Sequence, residues 1–194
     1  MIPCRCSLVL WHSMGYEVEA KFRLLCSTEE LRKLLEQAGF KQIDECVETD
    51  TYYSHPCKDF KQTDEALRLR KRECRDKYTY VLTYKGPRLD KSSSTKVRLE
   101  REVEIADIRI ANDILLQLGF RPISSFSKKR LIYAKSDTTV YLDQLYGVGW
   151  FVEIEGEEKR IYELKELMRN CLSPITETYL EICIRTGKCV EKRA

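Results

Sequence analysis

The sequence is short of the features that thiolate-metal, membrane and nucleic-acid proteins need. Histidine occurs only at His12 and His55, and none of the nine cysteines forms a Cys-x-x-Cys pair, which argues against a zinc site. The apolar run near the start, Leu8 to Trp11 in "MIPCRCSLVLWHS", falls far short of the ~20 residues of a membrane span or the ~7 to 15 of an export signal. We therefore expect neither anchor nor signal, and no membrane partner. Charge of one sign is not in excess either: 34 Lys+Arg stand against 31 Asp+Glu, a net +3. A nonspecific nucleic-acid binder would need a clustered basic surplus, so no nucleic-acid partner is expected. No separate purine-binding motif stands out.

What is present is a dense mixture of both charges, 34% of a 194-residue chain, a length that suits one domain. A second methionine, Met14, directly precedes the first strong strand pattern. Residues 1–13 are accordingly expected to be an upstream start or a disordered extension, and residues 14–194 the single domain. The cysteines are scattered and odd in number, so most are expected to be reduced thiols in a cytoplasmic protein.

Charged and apolar residues alternate strictly in several stretches, the pattern of strands with two chemically different faces. These are Tyr16 to Leu24, Ala66 to Arg72, Tyr78 to Lys85, Lys96 to Ile105, Phe126 to Tyr133, Thr139 to Leu145 and Trp150 to Ile154. Helical patterns follow Ser27, whose hydroxyl can cap a helix that ends at Gly39, and run from Asp107 to Gly119, Lys159 to Cys171 and Thr176 to Arg185. "LEQAGFKQI" (Leu35 to Ile43) and "LLQLGFRPI" (Leu115 to Ile123) echo one another after a strand and a helix. Two related halves would build one closed antiparallel sheet. "GPRLDKSSSTK", Gly86 to Lys96, reads as a turn-rich stretch, either a mobile lid or a plain hairpin loop.

Either face of such strands could be inside. An apolar interior with a wet charged exterior spares the cost of burying charge, but it would leave the amphipathic helices nothing to cover. With charges inside and helices outside, every surface is used, and the fold class is α+β: a closed barrel with a charged interior. The choice of residues points the same way. Arginines at i and i+2 offer forks for phosphate oxygens, and glutamates at i and i+2 suit a hard cation such as Mg²⁺ or Mn²⁺. Together they describe a cavity for a metal-bound polyphosphate.

At this point the motifs resemble the CYTH domain, or triphosphate tunnel metalloenzyme, family, whose hallmark is Glu-x-Glu-x-Lys near the N-terminus. That is Glu17-Val18-Glu19-Ala20-Lys21 here, followed in order by "EALRLRKRE" (Arg68, Arg70), "LTYKGP" (Lys85), "KVRLEREVE" (Arg98, Glu100, Glu102), "SKKRLIY" (Lys128, Arg130) and "VYLDQLYGVGWFVEIEG" (Asp143, Glu153, Glu155). The resemblance is nearest to the CyaB-like class IV adenylyl cyclases. It implies an eight-stranded antiparallel tunnel that binds a triphosphate with divalent metal, and a possible homodimer. Lys21, Arg68, Arg70, Lys85, Lys128 and Arg130 would hold phosphate oxygens, with Arg98 joining them or pairing with carboxylates. Glu17, Glu19 and Glu153 would be first among the metal ligands, with Glu155 joining them, and Lys21, Glu100 and Asp143 are candidates for direct catalytic roles. Class IV cyclases often carry His-Phe before the glutamate pair, whereas this chain has Trp11 and His12. The reaction is read as ATP to cyclic AMP and pyrophosphate, with hydrolysis of inorganic, thiamine or nucleoside triphosphate as the alternative, and polyphosphate or nucleotide binding without turnover as a second.

Overall fold

The structure, a computed structural model, describes residues 16–75, 77–89 and 95–192. The extension expected over residues 1–13 and the centre of the Gly86–Lys96 stretch lie outside the described residues. Nine strands and five helices follow in the order β1 (Tyr16–Leu24), α1 (Thr28–Gln37), β2 (Lys41–Ser54), α2 (Phe60–Thr63), β3 (Ala66–Cys74), β4 (Lys77–Arg88), β5 (Thr95–Ile105), α3 (Ile108–Gln117), β6 (Arg121–Lys135), β7 (Thr138–Leu145), β8 (Gly149–Glu155), α4 (Glu158–Leu167), β9 (Leu172–Ile175) and α5 (Tyr179–Thr186).

The strands pair in the order β5-β4-β3-β2-β6-β7-β8-β1, and β5 pairs back onto β1, closing an eight-stranded antiparallel barrel. β1 does double service on that edge. Tyr16 to Ala20 face β5, and Lys21 to Leu24 face the short extra strand β9. The sequence echo marks real equivalence: β1-α1-β2 and β5-α3-β6 each run strand, helix, strand, with β1 paired to β5 and β2 to β6. Both helices end at a glycine in left-handed backbone, Gly39 at φ 84° and Gly119 at φ 90°, a conformation that other residues reach only with strain.

The alternation has the charges inside. On the outside, Phe22, Leu131, Val140, Leu142, Val152 and Ile154 pack against Leu31 and Leu35 of α1 and Ile161 and Leu164 of α4. Each such fully buried leucine is worth about 1.5–3 kcal/mol over exposure. α1 forms where expected because Ser27 Oγ accepts from Glu30 N at 3.1 Å and supplies one of the orphan first-turn partners. On the opposite wall α3 lays Leu115 and Ile108 over Leu67, Leu69 and Leu82. α5 is placed differently. Its Tyr179, Ile182 and Cys183 pack on Phe126, Leu145 and Phe151, which share the inward faces of β6, β7 and β8 with Lys128, Asp143 and Glu153, so α5 closes one end of the barrel.

Two strands escaped the alternation reading, β2 and β9, and the cysteine expectation needs correcting. Six cysteines are joined as Cys26–Cys171, Cys46–Cys74 and Cys183–Cys189, while Cys57 is free and exposed. Residues far apart in sequence meet because the antiparallel register makes them neighbours: Cys46 sits directly opposite Cys74, and Leu25 N donates to the Cys171 carbonyl at 2.8 Å. Reduced thiols therefore no longer support a compartment. No helix among the described residues is long and apolar enough to cross a membrane.

Candidate active site inside the barrel

Because β-strand side chains alternate, each inward strand face delivers its charged residues at every second position. β1 supplies Glu17, Glu19 and Lys21, β3 supplies Arg68 and Arg70, β4 supplies Lys85, β5 supplies Arg98 and Glu100, β6 supplies Lys128 and Arg130, and β7 and β8 supply Asp143, Glu153 and Glu155. All the residues expected from sequence thus face one interior, and most are buried.

Part of this set is closed on itself. Arg130 donates through Nε and Nη2 to the two oxygens of Asp143 at 2.7 and 2.5 Å and also bonds Glu153. Lys21 Nζ lies 2.5 Å from the other Glu153 oxygen. Burial pushes the Glu153 carboxyl up, but Lys21, Arg130 and Lys128 outweigh it and hold the group well below its usual range. Glu153, expected as a metal ligand, is thus already held by two cations. Asp143 likewise has its oxygens taken, by Arg130 and by the hydroxyl of Tyr179 at 2.8 Å.

Two carboxylates from β2 organise the other side. Asp50 accepts two hydrogen bonds from Arg70, at 2.6 and 2.8 Å. Glu48 lies 3.0 Å from Arg70, 2.7 Å from Arg72 and 3.2 Å from Lys128, and against the upward push of burial these cations hold it well below the ordinary carboxylate range. Neither residue was expected from the sequence. The signal was there, since Glu48-Thr49-Asp50 repeats the i, i+2 carboxylate spacing of Glu17 and Glu19.

The remaining groups are unbalanced, in two opposite senses. On the cationic side, Arg68 Nε and Arg98 Nε are buried without a hydrogen-bond partner among the described residues. Burial lowers Lys96 and Lys128 to about 8, a sign that counter-charge is short. Lys96 shares its face with Arg98 at i and i+2 and was also missed. The guanidinium groups of both arginines are engaged elsewhere: Arg68 Nη2 donates to Thr83 Oγ1 at 3.1 Å and to Glu102 Oε1 at 3.2 Å, and Arg98 Nη2 to Asp64 Oδ1 at 3.2 Å, where Asp64 adopts φ 56°, a left-handed conformation that Asp tolerates. On the anionic side, burial, joined for Glu155 by repulsion from Glu17 and Glu19, raises Glu17 and Glu155 to about 7. Lys85, 2.8 Å from Glu17 and 2.6 Å from Glu100, offsets only part of this. Glu17, Glu19 and Glu155 bring hard carboxylate oxygens, the donor type a divalent cation takes, to one end of the interior, but those oxygens do not all lie within 4.8 Å of one another.

A closed antiparallel barrel with helices outside and paired charges inside defines a tunnel fold rather than a sheet with a wet face. The chain belongs to the CYTH domain family, whose model matches residues 15–181. A protein of Methanocaldococcus jannaschii provisionally named an adenylate cyclase is 34% identical over 180 residues, covering 86% of this chain and 97% of the relative. A structure of a Pyrococcus horikoshii protein is 33% identical with a TM-score of 0.73, covering 86% of this chain and 98% of that one. A second Pyrococcus horikoshii structure is 26% identical with a TM-score of 0.70, covering 85% and 98%.

Proposed function

We propose that the protein is a divalent-metal-dependent enzyme acting on a triphosphate held inside the barrel, with ATP converted to cyclic AMP and pyrophosphate as the first reading. One observation carries it: within a single buried interior, unspent guanidinium donors at Arg68 and Arg98 coexist with surplus carboxylates at Glu17 and Glu155. Buried donors left unpaired are costly. An anion alone would satisfy the first group and leave the second, and a cation alone the reverse. A metal-bound polyphosphate satisfies both.

Glu17, Glu19 and Glu155 would hold the metal, and when bound it would neutralise developing charge on phosphate oxygens. Arg68, Arg98, Lys85, Lys96 and Lys128 would bind and orient the phosphates, while Arg70 and Arg130, fixed by Asp50 and Asp143, supply a rigid positive wall. Catalysis is then mainly positioning and charge stabilisation. In cyclisation the 3′-oxygen bonds to the α-phosphorus, the bond to the β-phosphate oxygen breaks and pyrophosphate leaves. Of the residues expected to be catalytic, Lys21, Asp143 and Glu100 are each already paired, with Glu153, Arg130 and Lys85; Glu100, whose partner Lys85 would turn to the phosphates, would take the proton.

The adenylate cyclase name of the Methanocaldococcus jannaschii relative supports cyclisation. One feature favours hydrolysis as a second reading. Tyr52, Phe126, Phe151 and Tyr179, which could have stacked on a base, pack on one another instead, with ring centroids of 5.6 Å for Tyr52–Phe126 and 5.4 Å for Phe151–Tyr179. A triphosphatase needs no purine pocket. Incubation with ATP and, separately, inorganic triphosphate in Mg²⁺ and in Mn²⁺, with all products resolved by chromatography, decides. Cyclic AMP with pyrophosphate, lost in Glu17→Gln, establishes the first reading; orthophosphate without cyclic AMP establishes the second. Tight binding with no product under either metal would overturn both.

A further inference from the structure

Tyr179 enters the barrel from a helix rather than from a strand. It is buried at 4% exposure in the first turn of α5. Its ring lies against two interior cations, with Lys21 Nζ 3.6 Å and Lys128 Nζ 4.9 Å from the centroid. Its hydroxyl donates to Asp143 Oδ2 at 2.8 Å, the same carboxylate that holds Arg130. One uncharged side chain therefore touches two tunnel cations and the support of a third.

A ring face attracts an ammonium without accepting its N–H groups in directed hydrogen bonds. A carboxylate in the same place would occupy those donors and repel an incoming polyanion. Tyr141, two residues from Asp143 on β7, shows the same arrangement, with its hydroxyl on Glu155 Oε2 at 2.9 Å and its ring 4.1 Å from the Arg130 guanidinium carbon.

The position of Tyr179 is set by unusually firm anchoring of α5. Thr178 and Glu181 form a reciprocal capping box at its start. Cys183 within α5 is bonded to Cys189 beyond its end, and the following segment lies along β6, with Ser127 N donating to Val190 O at 3.0 Å and Lys192 N to Ser127 Oγ at 3.0 Å.

We infer that Tyr179 is a positioning residue of the tunnel, its ring face holding Lys21 and Lys128 so that the N–H donors of Lys128, and those of Lys21 not spent on Glu153, stay aimed at a bound polyphosphate. This rests on the proposed triphosphate site.

The test is calorimetric binding of inorganic tripolyphosphate to wild type, Tyr179→Phe, Tyr179→Leu, Lys21→Met and the Lys21→Met/Tyr179→Leu pair. Tyr179→Phe keeps the ring and should bind within about threefold of wild type, whereas Tyr179→Leu should weaken binding about tenfold. That loss should shrink in the Lys21→Met background, because the two residues act through one contact. Should the leucine variant not fold, a series of progressively fluorinated phenylalanines at position 179 keeps the shape and drains the ring face of charge. Binding should then weaken with each added fluorine, which a packing role would not produce. No binding by wild type overturns the triphosphate reading and this one with it. Wild-type binding with a Tyr179→Leu loss that is absent, or undiminished in Lys21→Met, or with no trend along the fluorinated series, overturns the role of Tyr179 alone.

Discussion

Arg70 and Asp50 stand directly opposite each other on β3 and β2, and Arg70 donates two parallel hydrogen bonds to Asp50, Nε to Oδ1 at 2.6 Å and Nη2 to Oδ2 at 2.8 Å. Both are buried, and Asp50 also faces Arg68 and Lys128 at 3.7 and 3.8 Å. Removing one partner of a buried pair leaves an uncompensated charge, which typically costs about 3–5 kcal/mol. Asp50→Ala should therefore lower unfolding free energy by that order, read from urea denaturation. The Asp50→Leu/Arg70→Met pair should recover part of the loss. A midpoint for Asp50→Ala within error of wild type would mean the pair is solvated and the interior is not built as described.

Glu155 behaves differently because its neighbours Glu17 and Glu19 repel it while Tyr141 Oη still donates to it at 2.9 Å. A glutamine keeps that acceptor and removes the repulsion. At pH 8 without metal, Glu155→Gln should be as stable as wild type or more so in thermal unfolding. The rise in midpoint on adding Mn²⁺, expected for wild type because a ligand bound only by the folded state stabilises it, should largely vanish. A variant with the full wild-type Mn²⁺ shift would remove Glu155 from the metal set.

Glu155 and Asp50 also show where sequence reading succeeds and where it fails. Glu155 was legible because "FVEIE" alternates cleanly, and charge placement followed once helices were seen to need an apolar outside. β2 was not legible. Its outward positions Thr49 and Thr51 are polar because their hydroxyls bond Ser127 and Ser125 of β6 at 2.8 and 3.1 Å, which hides the charged-apolar period, and Glu48 and Asp50 went unseen with it. Tyr179 could not be found by strand periodicity, since it reaches the interior from α5 through tertiary packing alone. The cysteine pairs were likewise invisible until the register of β2 on β3 was known.

That register is pinned at its far end by Cys46–Cys74, whose separation of 28 residues encloses the whole β2–β3 pairing. Closing a loop of this size stabilises by about 3 kcal/mol. Under non-reducing conditions the Cys46→Ser/Cys74→Ser variant should show a lower urea midpoint by that order, and thiol-specific mass tagging should find both cysteines blocked in wild type. Free thiols at both positions would restore the reduced-protein expectation and remove the predicted penalty.

Lys128 links the same interior to pH. Burial, then Arg130 and Arg70, lower its pKa from an ordinary lysine value to about 8. Because the folded value lies below the unfolded one, the unfolded chain binds more protons between about pH 8 and 10.5, and stability should rise with pH across that window as far as this group is concerned. A bound polyphosphate reverses the imbalance: it favours the ammonium, so binding at pH 9 should take up about one proton at Lys128. Calorimetry of tripolyphosphate binding in two buffers of different ionisation enthalpy measures the uptake directly, and Lys128→Met should reduce it. Proton uptake that is zero, or the same in Lys128→Met, would place the phosphates away from Lys128. Uptake lost with the lysine would instead tie the polyanion to the inner face of β6, beside the ring of Tyr179.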